Sequence, residues 1–256
     1  MKIKFLGTSA GWPLPRLGCN CHICISKDPK DIRSRTQILI NDYLLLDAGF
    51  DTYTHLKNNI RANKLKAVAI SHEHPDHTAG LWDLSKIYNR EEKLKLIIAA
   101  NTYRKIRKIY LITAFEALAE METDSFKTLG NPVMIEGLKV QLLPVNHTNS
   151  SYGILVTEDK KSLFYAPDFL SLPKETTAKV KGIDLILMDG SDKKSTLNHQ
   201  SIDQGIILGK KLAAKNIYFV HIGHNTFPHK EFESYVLKKG GNNFYVPFDG
   251  LEITLS

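Results

Sequence analysis

The sequence predicts an α/β protein in which helices cover the faces of two packed sheets. Short apolar strands alternate with longer amphipathic segments, and hairpin-like pairs at 37–46 and 152–165 argue that much of the sheet is antiparallel. In 256 residues, 43% of them apolar, there is material for an ordinary buried core, and one domain spanning 1–256 is expected. No linker, low-complexity segment or sequence repeat interrupts the pattern. The first strand, 2–6, runs into a glycine turn. Apolar runs then place strands at 37–40, 43–46, 67–70 and 95–99, with helices at 52–62 and 80–88. A helical segment at 101–120, with its loop to Pro132, reads as an insertion. Beyond it the alternation continues, with strands at 138–143, 152–156, 162–165, 183–188, 216–220 and 250–254 and helices at 201–214 and 229–238.

One stretch carries chemistry. In Ser71-His72-Glu73-His74-Pro75-Asp76-His77, three imidazoles and Asp76 crowd into six positions, and these are poor core residues and good metal ligands. The run Ala67-Val68-Ala69-Ile70 before it reads as a buried strand, while Pro75 and the following Thr78-Ala79-Gly80 bar a regular continuation, so the ligands are expected on a loop at a strand end. His72 and His74, two apart in extended chain, project to the same side and grip one ion; Asp76 and His77, past the proline, turn toward a second. Two ions need further ligands. Polar residues just past strands supply them: His147 after Val140–Val145, Asp168 after Leu163–Pro167, and His221 after Ile217–Val220.

The three cysteines, Cys19, Cys21 and Cys24, form a CxCxxC cluster that reads as a zinc site needing a fourth ligand, a histidine or carboxylate, from elsewhere. A disulfide framework would leave one thiol unpaired, and a redox CxxC expects a βαβ context that is missing. The formal charge of +7 is spread along the chain, its densest run, Tyr103–Lys108, reading as a solvated helix face that also helps draw in an anionic substrate. Charge alone supplies only nonspecific affinity for nucleic acid, which argues against a nucleic-acid partner. No apolar stretch approaches the length of a membrane span and the start is not a signal peptide, so a cytoplasmic protein is expected.

Together these residues resemble the metallo-β-lactamase superfamily. Its five motifs map onto Asp47 in Leu44-Leu45-Leu46-Asp47-Ala48-Gly49, the His72–His77 segment, His147, Asp168 and His221. The resemblance implies an αββα four-layer sandwich, with His72, His74 and His147 on one metal, Asp76, His77 and His221 on the other, and Asp168 bridging. Asp47 would steady the metal loop without being a ligand. Within that superfamily, Cys19-Asn20-Cys21-His22-Ile23-Cys24 together with His221-Ile222-Gly223-His224 looks like the PhnP-type phosphodiesterases. That likeness implies a structural zinc on Cys19, Cys21, Cys24 and His224, with His22 as the rival fourth ligand, and a homodimer.

Two divalent ions, zinc or manganese, though His and Asp ligands suit iron as well, make a hydroxide available at neutral pH and clamp phosphoryl oxygens. The PhnP-type resemblance implies hydrolysis of a small cyclic phosphate, phosphoribosyl 1,2-cyclic phosphate or a 2′,3′-cyclic nucleotide. His199, in Asn198-His199-Gln200, matches a substrate-site histidine of that family, and His199 and Asp76 are the candidate catalytic residues. Two alternatives share features of the chain. The opening Phe5–Gly11 looks like tRNase Z, and CxCxxC is shared with PqqB-like proteins of cofactor biosynthesis.

Overall fold

In a computed structural model, which describes residues 1–59, 64–87, 93–108, 122–123 and 132–256, the chain forms two seven-stranded sheets. The first has the order β14-β1-β2-β3-β4-β5-β6, with β1 Lys2–Gly7, β2 Gln37–Ile40, β3 Leu44–Leu46, β4 Ala67–Ala69, β5 Lys95–Ile97, β6 Glu122–Thr123 and β14 Glu252–Thr254. The second has the order β7-β8-β9-β10-β11-β12-β13, with β7 Val133–Ile135, β8 Leu138–Pro144, β9 Tyr152–Glu158, β10 Lys161–Ala166, β11 Leu185–Asp189, β12 Asn216–Val220 and β13 Phe244–Tyr245.

The pleat assigns each strand residue to a layer. In β2 and β3, Ile38, Ile40, Leu44 and Leu46 face the space between the sheets, while Leu39 and Leu45 face outward. In β10 and β11, Leu163, Tyr165, Leu185 and Leu187 face inward, while Phe164, Ile186 and Met188 face outward. The outward side of the first sheet packs on α1 (Thr52–Asn59), α3 (Leu81–Ser85) and the helical stretch 100–108, here α4, through Leu56, Leu81, Leu84 and Ile106. The outward side of the second packs on α5 (Ile202–Leu212) and α6 (His229–Gly240) through Ile202, Ile206, Leu212, Phe232 and Val236. Four layers, αββα, result, as the sequence predicts.

Each sheet runs through three antiparallel pairings and then three parallel ones, so antiparallel pairing is half of the whole. The β2–β3 connection is the three residues Asn41, Asp42 and Tyr43; Asn41 and Asp42, both at positive φ, are the centre of a turn closed by the Tyr43 N–H donating to the Ile40 carbonyl at 3.1 Å. Strands β6 and β13, two residues each, are too short to leave a periodic signal, and β7 lies beside the expected insertion loop. The expected helix at 52–62 is seen to Asn59 and that at 101–120 to residue 108; their remaining residues lie outside the described ones. Among the described residues, no helix is long and apolar enough to cross a membrane.

The expectation of a loop throughout the histidine motif needs correction. Pro75–Thr78 form a short helix, α2, with Pro75 in its first turn. Proline has no N–H to lose there, since the first N–H groups of a helix lack partners anyway, and its fixed φ starts the turn. Asp76 and His77 therefore stand on a helix, and only His72 to His74 on the connecting segment.

Candidate metal centre

The chemistry-bearing residues converge because they follow the same ends of neighbouring strands. Asp47 follows β3, His72 follows β4 by three residues, His147 follows β8, Asp168 follows β10, and His221 follows β12, while Asp189 ends β11. Two groups form. In the first, His72, His74, His147 and Asp168 offer ligand atoms within 4.8 Å of one another; His72 Nε2 lies 2.9 Å and His147 Nε2 3.4 Å from His74 Nδ1. In the second, Asp76, His77, Asp168 and His221 do the same, with Asp76 Oδ2 3.1 Å from His77 Nε2 and 3.4 Å from His221 Nε2. Asp168 belongs to both. Its Oδ2 is 3.4 Å from His72 Nε2 and 3.5 Å from His77 Nε2, and its Oδ1 is 3.0 Å from His221 Nδ1.

This donor set fits divalent cations. His77 Nε2, Asp168 Oδ1 and His221 Nδ1 are buried atoms with no hydrogen-bond partner, an arrangement that costs free energy unless something electropositive lies among them. Burial and the neighbouring His77 push His72 down to about 4, which keeps its imidazole neutral as a ligand must be. Burial opposes charge on Asp168 too, yet His221 and His77 hold its carboxyl well below the usual range.

Asp47 is fully buried and reaches both groups without joining either. Its Oδ1 accepts from the Ser71 backbone N–H at 2.8 Å, and its Oδ2 accepts from His77 Nδ1 at 2.7 Å, Tyr165 Oη at 2.8 Å and Ser71 Oγ at 2.9 Å. A proton is thereby held on His77 Nδ1, so Nε2 is the nitrogen offered to a cation. Burial opposes a second proton there, but the Asp76, Asp47 and Asp168 charges favour it by raising His77 well above its ordinary value, and the cation must displace it. The Ser71 hydroxyl, which donates its hydrogen bond to Asp47, accepts from His72 Nδ1–H at 3.0 Å, which frees His72 Nε2 in turn. One carboxylate thus fixes the tautomer of a histidine in each group.

Cys19, Cys21, Cys24 and His224 form a third group, again with ligand atoms within 4.8 Å. His224 Nδ1 is 3.3 Å from Cys19 Sγ and 3.9 Å from Cys21 Sγ, whereas His22 is exposed and lies outside the group. The Cys21 backbone N–H and His224 lower the Cys19 thiol to about 6, and burial raises Cys24 to about 11. Three sulfurs and one imidazole are a donor set suited to zinc.

His199, which no spacing argument could bring to the site, stands beside the two ligand groups. Its ring centroid is 4.8 Å from that of His147 and 6.0 Å from that of His221. Its Nδ1 donates to Asp189 Oδ2 at 2.8 Å, and Asp189 is fully buried. Burial works against the imidazolium, but this hydrogen bond and the Asp189 charge raise His199 above its ordinary value. Asp189, His199 and His221 also lie close enough to share a cation, though His221 is already a member of the second group.

A family model described as a beta-lactamase superfamily domain matches residues 42–222, which contain both groups and the strands that carry them. The chain belongs to the metallo-β-lactamase superfamily. Among relatives of this superfamily member, an octanoyltransferase of Porphyromonas gingivalis is 26% identical over 98% of this chain. The chain spans about half of that protein, 51% of its length. Coenzyme PQQ synthesis protein B of Methylobacterium radiotolerans is 26% identical over 75% of this chain and 73% of its own. The crystal structure of a new diphosphatase from the PhnP family superposes with a TM-score of 0.84 at 26% identity, covering 98% of this chain and 96% of that one. Zinc-bound PqqB from Methylobacterium extorquens (TM-score 0.82, 22% identity) and the short form of human tRNase Z (0.69, 17%) share the fold, each covering 100% of both chains.

Two residues at the superfamily site have roles that sequence reasoning does not assign, although Leu187-Met188-Asp189 is itself among the matches to the PhnP-type family. Asp189 stands in Leu187-Met188-Asp189, a run of strand residues whose last member touches His199 only through the fold. Glu73, between two histidines, accepts from Lys105 Nζ and Ser150 Oγ, both at 2.6 Å, and from Thr148 Oγ1 at 3.2 Å. It ties the motif to α4 and to the loop that follows His147, so Lys105, in the otherwise exposed basic run, is ion-paired with Glu73 while its side chain stays 42% exposed.

Proposed function

We propose that this chain is a metal-dependent phosphodiesterase that hydrolyses a small cyclic phosphate, phosphoribosyl 1,2-cyclic phosphate or a 2′,3′-cyclic nucleotide. The observation that carries the reading is the Asp189–His199 pair set beside the two ligand groups, with His199 4.8 Å from His147 between ring centroids. His72, His74 and His147 hold one ion, Asp76, His77 and His221 the other, and Asp168 lies between; Cys19, Cys21, Cys24 and His224 hold a structural zinc. When bound, two divalent ions, zinc or manganese, supply an activated water and a clamp on the phosphoryl oxygens.

The residues of the chain do the rest. Asp47 keeps His77 and, through Ser71, His72 in the tautomers that offer their Nε2 atoms to a cation. Asp189 holds His199 by Nδ1 and favours its protonated form, leaving Nε2–H to give a proton to the leaving oxygen as the P–O bond breaks. A protonated imidazole also attracts the phosphate. Similarity to a PhnP-family diphosphatase supports phosphorus chemistry at this site, and a homodimer is part of the same reading.

A second reading, hydrolysis of an acyl thioester, is favoured by similarity to a protein named octanoyltransferase, of which this chain matches about half. One panel separates the two. Purified protein reconstituted with zinc or manganese is assayed on phosphoribosyl 1,2-cyclic phosphate, 2′,3′-cyclic AMP, bis(p-nitrophenyl) phosphate, a nucleoside diphosphate and an octanoyl thioester, with sedimentation for the dimer. Turnover of the cyclic phosphates that chelator abolishes is the expected result; turnover of the thioester alone would overturn the proposal.

A further inference from the structure

Two exposed aromatic rings stand on loops that press against Asp76. At Gly11, a Cβ would lie 3.3 Å from Asp76 Oδ2, and at Gly49 it would lie 2.0 Å from the Asp76 carbonyl oxygen. The residues that follow these glycines are Trp12 and Phe50, which are 61% and 56% exposed, so more than half of each side chain is open. Arg35 joins the two loops. Its Nε donates to the Gly11 carbonyl at 2.9 Å and its Nη1 to Asp51 Oδ2 at 3.1 Å, while its guanidinium carbon sits 4.8 Å from the Phe50 ring centroid. Trp12 is backed in the same way by Arg16, 4.7 Å from its centroid, and Arg16 is anchored at the cysteine cluster through its backbone N–H to Cys24 Sγ.

Because the loops that carry them pack against Asp76, these two open rings offer a ligand of the site apolar surface to cover. Here each ring has a cation over it, held in turn by other parts of the fold. The guanidinium restrains the ring, so a flat ligand can stack on the open surface without first ordering it. A base stacked on such a ring is worth about 1–3 kcal/mol and needs no particular hydrogen-bond pattern. A bare sugar phosphate has no flat π-face to stack on them.

We propose that Trp12 and Phe50 are a stacking site for the nucleobase of the substrate, so that the cyclic phosphate reaching this centre is borne by a nucleoside. This rests on the phosphodiesterase reading and narrows it to the 2′,3′-cyclic nucleotide class. The phosphate sits at the ligand groups and the base lies on the Asp76 side, over the loops that Arg35 ties together.

The test uses the metal-loaded full chain. Steady-state kinetics on 2′,3′-cyclic AMP and on base-free phosphoribosyl 1,2-cyclic phosphate are compared for the parent, Trp12→Ala, Phe50→Ala and the double variant. Both rings are on the surface, so the variants are expected to fold, which circular dichroism checks. The double variant should raise KM for 2′,3′-cyclic AMP about 5- to 150-fold, the equivalent of one lost stack, with kcat and the base-free substrate changed less than about twofold. A binding readout stands apart from turnover. Trp12 and Trp82 are the two tryptophans, so in Trp82→Phe the fluorescence reports Trp12 alone, and AMP should quench it. Equal effects on both substrates, or no quenching, overturn the stacking site even where cyclic phosphates are hydrolysed. Quenching in a protein that hydrolyses no phosphodiester supports the site and sinks the phosphodiesterase reading instead.

Discussion

Replacing Asp47 by asparagine tests the claim that one buried carboxylate orients ligands in both groups. The substitution keeps the side chain's shape and removes its charge. The carboxylate accepts four hydrogen bonds, one on Oδ1 from the Ser71 N–H and three on Oδ2 from His77, Tyr165 and Ser71 Oγ. An amide offers one oxygen and one NH2, so in its better orientation the NH2 faces the Ser71 N–H, donor against donor. In the worse one it faces three donors. At least one buried donor is therefore left without an acceptor, which costs about 1–3 kcal/mol, and the remaining bonds lose their charge assistance. Loss of a partner that fixes a ligand's tautomer typically weakens metal binding about 10–100-fold. Denaturant unfolding of the metal-free protein should show the first effect, and competition with a chelator of known affinity the second, with the cysteine cluster unaffected. An Asp47→Asn protein that binds metal at the histidine groups as tightly as the parent would refute the tautomer argument.

Three further outcomes are expected. Cys21→Ser should release one equivalent of zinc by elemental analysis and lower the unfolding midpoint, while the specific activity of the folded fraction survives, because the cluster lies outside the two histidine groups. Gly49→Ala puts a methyl group 2.0 Å from the Asp76 carbonyl, a backbone atom that cannot step aside without moving α2; metal content at the histidine groups should fall together with activity, and an unaltered metal content would contradict the packing. His199→Ala should slow hydrolysis of a cyclic nucleotide, whose alkoxide needs a proton, by about 10²–10⁴-fold, and bis(p-nitrophenyl) phosphate much less; equal losses would make His199 a binding residue only.

What the chain discloses before folding depends on the distance over which each signal is read. The pleat alternation of Ile38-Leu39-Ile40 and Leu163-Phe164-Tyr165 is local, so the strands that form both cores could be found from periodicity alone. Strands β6 and β13 have two residues each and owe their existence to a neighbour, β5 or β12, that periodicity cannot see. The proline in the histidine motif was legible as an interruption, yet it starts a helical turn, because only the carbonyl groups ahead of it decide between a break and an N-terminus. Asp189 and Glu73 carry no local signature. Their partners lie ten residues away in His199, or 32 and 77 away in Lys105 and Ser150.

Asp47 and Asp168 make the same point at one position of the fold. Each sheet changes from antiparallel to parallel pairing at one strand, β3 in the first and β10 in the second, and each aspartate follows that strand within two residues. Their surroundings differ. Both oxygens of Asp47 are occupied by the N–H and O–H donors of Ser71, His77 and Tyr165, so its charge is spent on holding ligands in place. Asp168 has imidazole nitrogens of His72, His77, His147 and His221 within 3.8 Å, and its buried Oδ1 has no hydrogen-bond donor. A carboxylate saturated by donors cannot also bind a cation well, and one left bare among lone pairs needs one. The residue type and its place at a strand end were readable in the chain; which aspartate orients and which lies between the groups follows from the donors the rest of the fold delivers to them.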